Sequence, residues 1–159
     1  MGKGTTFKIY LPRVDEAAAA PTPTATPTAS RGWETILLAE DEDSLRSLAR
    51  EILEDQGYRV IEAASGKEAI EIAHGHPGPI HLLLTDVVMP GMNGRVLAEA
   101  LMAVRPELRV LYMSGYTDDV IAHRGVLEPG TLLLEKPFGA RGLLARVREA
   151  LGRGAEGTA

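Results

Sequence analysis

Three carboxylates, a hydroxyl and an ammonium, those of Glu40, Asp41, Asp86, Ser114 and Lys136, stand at or just beyond the ends of separate short apolar runs. Taken singly each has an ordinary explanation. An Asp after a strand often starts a turn, an acidic pair often sits at a helix N-terminus, and a Lys is usually solvated. Taken together they describe something else if the runs lie side by side. Packed carboxylates repel and raise one another's pKa values, and a hard divalent cation removes that repulsion. Oxygen donors with few carboxylates suit Mg²⁺, which keeps several waters and accepts a phosphate oxygen.

The elements that would gather these residues follow from the hydrophobic pattern. Apolar runs at Thr35 to Ala39, Tyr58 to Glu62, His81 to Thr85, Arg109 to Met113 and Thr131 to Leu134 alternate with amphipathic stretches from Trp33 onward. That alternation predicts β-α units around a parallel sheet, an α/β fold whose strand C-termini share one edge. The first helix is expected to bury Leu45, Leu48, Ile52 and Leu53 and to stop at Gly57, and the second opens on a capping-box spacing at Ser65 and Glu68. The third carries Leu97, Ala100, Leu101 and Val104 ahead of Pro106; a short fourth follows Thr117; the last carries Leu143, Leu144, Val147 and Leu151. Asn93 is placed to cap the third helix, after a Pro90-Gly91 turn.

The 159 residues, 45% hydrophobic and 25% charged, suit one soluble domain with flanking segments. A net charge of −5 argues against direct contact with nucleic acid. No run is long enough to span a membrane and no signal peptide is evident, so the expected location is cytoplasmic, without membrane contact. Cysteine is absent, which removes disulfide and thiolate chemistry. His74 and His76, in a Gly/Pro-rich turn without acidic company, read as solvated loop residues. The segmentation is residues 1–13, with an alternating Phe7-Lys8-Ile9-Tyr10-Leu11; a Pro/Thr/Ala-rich linker, 14–32; the α/β domain, 33–152; and a tail, 153–159. With only GRGAEGTA after Leu151, no DNA-binding output domain is expected to follow.

The stretches ILLAEDE (36–42), LLLTDVVMPGMNG (82–94), Met113-Ser114-Gly115 and Lys136-Pro137-Phe138 resemble the receiver domains of two-component response regulators, over about residues 34 to 151. The resemblance implies a flavodoxin-like, doubly wound five-stranded sheet of order 2-1-3-4-5 flanked by five helices. It implies that Asp86 takes a phosphoryl group from a phosphohistidine, that Asp41, Asp86 and the backbone carbonyl of Val88 hold Mg²⁺, and that Glu40 holds it through water. Lys136 would neutralise the phosphoryl oxygens, Ser114 would donate to them, and the Lys136-Pro137 bond would be cis. Phosphoryl transfer asks for such positioning and charge stabilisation. The partner implied is a histidine kinase or a histidine phosphotransfer protein, and the chain itself is a signalling phosphoacceptor rather than a conventional enzyme.

GKGTTFKIYLP (2–12) resembles the end of a sensor histidine kinase ATP-binding domain, and the SGYTDD that begins at Ser114 resembles receivers of hybrid kinases. Both point to the C-terminal receiver of such a kinase, with residues 1–13 a remnant of its ATP-binding domain. The family usually has an aromatic residue three positions before the lysine, where this chain has Leu133, so ring-coupled signalling is not expected. Val88 cannot orient a hydrolytic water and Tyr116 could shield the site, which implies a long-lived phospho-form. Two alternatives stand beside this reading. A haloacid-dehalogenase-like phosphatase would use Asp41 within Asp41-Glu42-Asp43, but Pro137 to Arg148 holds no acidic residue to complete its metal site. A degenerate receiver would act only as a binding module.

Overall fold

In the computed structural model, which describes residues 32–115 and 131–152, β1 (Thr35–Ala39), β2 (Arg59–Ala63), β3 (Leu82–Asp86), β4 (Arg109–Ser114) and β5 (Leu133–Glu135) form one sheet. All pairings are parallel and the order is β2-β1-β3-β4-β5, the flavodoxin-like topology expected. Among the described residues there are four helices: α1 (Asp43–Asp55), α2 (Gly66–Gly75), α3 (Gly94–Val104) and α4 (Ala140–Gly152). The helix expected after Thr117, the segments 1–13 and 14–32 apart from Gly32, and the tail lie outside the described residues.

Strand side chains alternate between two apolar layers. Ile36, Leu38, Leu82 and Leu84 face α1 and α4, where they meet Leu53, Leu143 and Val147. Leu37, Ala39 and Leu83 face α2 and α3, where they meet Ala69, Leu97 and Leu101. Covered on both faces, the central strands must be continuously apolar, as Leu82-Leu83-Leu84 is. Each buried leucine contributes roughly 1.5–3 kcal/mol, so β3, which carries Asp86, is among the best anchored segments.

The helix ends follow their sequence signals. Gly57, at φ 92°, lets its amide reach Glu54 O at 2.8 Å and the Tyr58 amide reach Leu53 O at 3.2 Å, a Schellman closure of α1. Ser65 accepts from the Glu68 amide at 3.2 Å, while the Glu68 carboxylate reaches back to Ala64 N at 2.7 Å, one residue earlier than the usual box. Asn93 Oδ1 accepts from Val96 N at 2.9 Å, as its position implies. Arg105, next to Pro106, donates to the carbonyls of Ala73, His76 and Gly78 and so ties the end of α3 to that of α2.

Some expected core faces differ. Leu48 is exposed and Ala49 takes the buried place, because α1 lies against β2 and α4, where a small side chain permits close approach. On α3, Ala98 is buried, while Ala100 and Val104 face outward. β2 runs one residue later than expected, since Tyr58 closes α1, and β3 and β4 include Asp86 and Ser114, which were expected just beyond them. His81, expected to open the third strand, stands one residue ahead of β3. Its Nδ1 accepts from Thr35 N at 2.9 Å, its own amide donates to Thr35 O at 2.8 Å, and its ring meets the edge of Trp33 at 5.0 Å.

Tyr58 tests the energetics of this packing. Its ring supports the Arg148 guanidinium at 5.0 Å, but its buried hydroxyl has no hydrogen-bond partner among the described residues. Burial raises the phenol above its ordinary pKa of 10.0, with the Arg148 charge opposing and the Glu34 charge reinforcing the shift. The folded state therefore resists ionisation that the unfolded chain undergoes, and stability falls as pH rises above 10. Tyr58→Phe is expected to leave stability at neutral pH unchanged or raised by about 1 kcal/mol. It should also flatten the alkaline loss. Urea unfolding at both pH values checks this, and clear destabilisation at neutral pH would contradict it.

Candidate functional site: an acidic cluster at the strand ends

Because the strands are parallel, β1 and β3 deliver Glu40, Asp41 and Asp86 to one edge at the point where strand order reverses. One carboxylate oxygen from each lies within 4.8 Å of the others. Glu40 and Asp86 are buried and Asp41 is exposed. Lys136, just past β5, bridges the two buried ones, with Nζ 2.7 Å from Glu40 Oε2 and 2.5 Å from Asp86 Oδ2. The other Asp86 oxygen, Oδ1, accepts from Val88 N at 3.1 Å.

Burial pushes Glu40 above the ordinary carboxylate range, and the nearby Asp86 charge adds to this against the opposing Lys136. Burial alone would lower Lys136, but its hydrogen bonds and charge pairing with Asp86 and Glu40 outweigh it and leave the ammonium more basic than an ordinary lysine. Lys136 is thus held as a cation against two carboxylates, while the third, Asp41, faces outward.

The structure brings four of the five expected side chains into one cluster and sets the fifth beside it. Ser114, almost wholly buried, ends β4, where its carbonyl accepts from Lys136 N at 2.7 Å. Its hydroxyl donates to Gly115 O at 3.3 Å rather than to a carboxylate. The Lys136-Pro137 bond is cis, as expected. Val88 is exposed beside Asp86; Tyr116 and His123 lie outside the described residues. His74 is exposed, and neither it nor His76 joins a metal-binding group among the described residues.

Two supporting residues escaped the sequence reading. Thr85, fully buried, donates from Oγ1 to Asp86 O at 3.0 Å. Arg46 donates from Nη1 to Glu40 O at 2.7 Å. A signal for Arg46 existed: a cation in the first turns of a helix opposes the macrodipole and needs a local partner.

Comparison with known proteins agrees with this geometry. The family profile described as "Response regulator receiver domain" matches residues 36–148, and the chain belongs to that family. It is 39% identical to the sensor kinase CckA of Brucella abortus (strain 2308) over 159 aligned residues, which cover 95% of this chain and 17% of that kinase. It is 33% identical to the response regulator receiver protein CpdR of the same strain, over 73% of this chain and 95% of that protein. Among solved structures, the receiver domain of the hybrid histidine kinase CckA superposes with a TM-score of 0.62 at 36% identity, covering 74% of this chain and 98% of that one. A receiver domain from Clostridium thermocellum gives a TM-score of 0.65 at 25% identity, covering 77% and 97%.

The acidic cluster is therefore that of a phosphoaccepting signalling domain, compatible with a divalent cation. The phosphatase alternative fails on the same geometry. Asp43, the second carboxylate of its Asp-x-Asp pair, is exposed on α1 and paired with Arg46, whereas Asp86 occupies the cluster.

Gly94 sets the distance between α3 and Asp86. A Cβ there would lie 2.1 Å from the Asp86 carbonyl oxygen and 3.0 Å from Thr85 Oγ1, so backbone must move. Gly94→Ala is expected to cost about 1–3 kcal/mol, as overpacking does. It should also slow phosphodonor labelling by displacing Asp86. A wild-type urea midpoint together with wild-type labelling would contradict the assignment.

Proposed function

We propose that Asp86 is the phosphoacceptor of a Mg²⁺-dependent phosphorelay and that Lys136, Ser114, Glu40, Asp41 and the Val88 carbonyl serve it in the roles set out above. The observation that carries this reading is the pair of contacts fixing both Asp86 oxygens, one by the Lys136 ammonium and one by the Val88 amide. The three carboxylates and one ammonium sum formally to −2, a charge that a divalent cation balances. Carboxylates at this spacing fit Mg²⁺, which when bound supplies charge neutralisation on phosphoryl oxygens.

In the transfer, a carboxylate oxygen of Asp86 bonds to phosphorus as the phosphorus–nitrogen bond of a phosphoimidazole breaks, and the imidazole leaves with that electron pair. Lys136 exchanges its Asp86 contact for a phosphoryl oxygen, and Ser114 gives up Gly115 O to donate to another. Water later attacks phosphorus, the bond to the Asp86 oxygen breaks, and inorganic phosphate leaves with the carboxylate restored.

Labelling with a small phosphodonor is expected to require Mg²⁺, to be lost in Asp86→Asn and to persist in Asp41→Asn at higher Mg²⁺. Label that survives Asp86→Asn but disappears in Asp41→Asn would overturn the assignment, and no labelling at all would favour a binding-only receiver. The exposed apolar Val88 offers no group to position water, so the acyl phosphate is expected to decay slowly. Val88→Asn, which adds a polar group able to orient water, should accelerate the decay several-fold, well short of the roughly 10²–10⁴ that a full general base supplies. An unaltered decay rate would sink this part of the reading.

We place the chain at the C-terminal end of a hybrid histidine kinase in the cytoplasm, with residues 1–13 from the ATP-binding domain and 14–32 a linker. Support comes from the similarity to the CckA kinase, which extends over 95% of this chain. No helix among the described residues is long and apolar enough to cross a membrane. The partner is then a kinase histidine or a histidine phosphotransfer protein. Leu133 packs in the α2/α3 layer, paired with Tyr112 on the neighbouring strand, which favours output through the chain that follows Ser114 rather than through a β5 ring.

A further inference from the structure

We infer that Arg46 is a positioning residue for the cation site: it sets the aim of Asp41 by holding the carbonyl of Glu40. The inference rests on the reading of Asp41 as a cation ligand. Glu40 is held at both ends of its backbone. Its amide donates to Ala63 O at 3.1 Å, at the end of β2, and its carbonyl accepts from Arg46 Nη1 at 2.7 Å. That carbonyl belongs to the same planar peptide unit as the Asp41 amide and Cα, so fixing it fixes the direction in which Asp41 leaves the strand. Asp41 is exposed and lacks the buried packing that orients Glu40 and Asp86.

Arg46 is itself braced. Its Nη2 pairs with Asp43, its Nε lies 3.6 Å from Glu62 Oε1, and its side chain is only 14% exposed. Glu62 in turn is ion-paired with Arg50, whose Nε lies 3.1 Å from Oε2. The planar fork of a guanidinium can serve three acceptors in one plane, which an ammonium cannot.

The inference has a definite sign. A guanidinium near a cation site repels the cation, so if charge were all that mattered, removing Arg46 would tighten Mg²⁺ binding. If it positions Asp41, removal weakens binding. Calorimetric titration of the full chain with Mg²⁺, in wild type, Arg46→Met and Arg46→Gln, separates the two.

Arg46→Met, which keeps the aliphatic stem, is expected to weaken Mg²⁺ binding about two- to tenfold, the equivalent of one net hydrogen bond. Arg46→Gln, which keeps a donor without the charge, should recover much of that loss. Phosphodonor labelling of Arg46→Met should return to the wild-type maximum at saturating Mg²⁺, so the defect lies in the Mg²⁺ requirement and not in the chemistry. Unaltered or tighter Mg²⁺ binding by a folded Arg46→Met overturns the inference, as does a defect that excess Mg²⁺ leaves uncorrected. Should Arg46→Met not fold, Arg46→Ala, which also removes every donor, carries the same test, with weaker binding supporting positioning and unaltered or tighter binding overturning it. A wild-type chain that binds no Mg²⁺ defeats the cation reading itself and the inference with it, an outcome distinct from binding that is indifferent to Arg46.

Discussion

The Lys136 ammonium, lodged between Glu40 and Asp86, is the contact on which the arrangement of the site depends. Parallel strands bring carboxylates from β1 and β3 to one edge, where low exposure would make two anions costly. A single cation from the far side of β4 offsets both. It does so because β5 pairs with β4, and the Lys136 amide continues that register by donating to Ser114 O. Strand order is therefore an electrostatic matter as well as a packing one. Were β5 elsewhere, the edge would carry buried carboxylates without their counter-charge.

Around that contact the backbone is fixed more firmly than the side chains require. β3 is apolar on both faces and inaccessible, Thr85 donates to the Asp86 carbonyl, and α3 begins so close to that carbonyl that only a glycine fits. Asp86 has little freedom to move toward a partner, so an incoming phosphoryl group must be brought to it. This suits a reaction whose barrier is lowered by alignment and charge rather than by motion of the nucleophile.

Much of this was legible in the sequence because the strongest signals are local or periodic. Gly57, Ser65 with Glu68, and Asn93 each satisfy helix-end groups with the chemistry their residue types imply. The burial of particular helix residues was less legible. Leu48 and Val104 satisfy a helical period as well as any buried neighbour does, yet Ala49 and Ala98 are the residues that face inward. Periodicity gives a stripe, and the sheet and adjoining helix decide which edge of the stripe is covered. Arg46 was missed for a related reason. Its partner is a main-chain carbonyl six residues earlier, an acceptor that every residue offers and that no residue type advertises.

Asp86 and Ser114, which end the neighbouring strands β3 and β4, differ in how firmly they are held. Asp86 is gripped through both oxygens, whereas the Ser114 hydroxyl donates across 3.3 Å, long for an O–H donor. The Ser114 backbone stays tied to Lys136, so its side chain can turn about one torsion without disturbing the sheet. Such a turn releases the Gly115 carbonyl, and the consequence passes first to the chain leaving β4. The β5 side chain three residues before the lysine is a leucine packed into the α2/α3 layer, a poor receiver for a small hydroxyl displacement because its contacts are apolar and carry no directional bond. The same edge that fixes the acceptor thus leaves one weakly held donor, whose departure frees the Gly115 carbonyl at the point where the chain leaves β4.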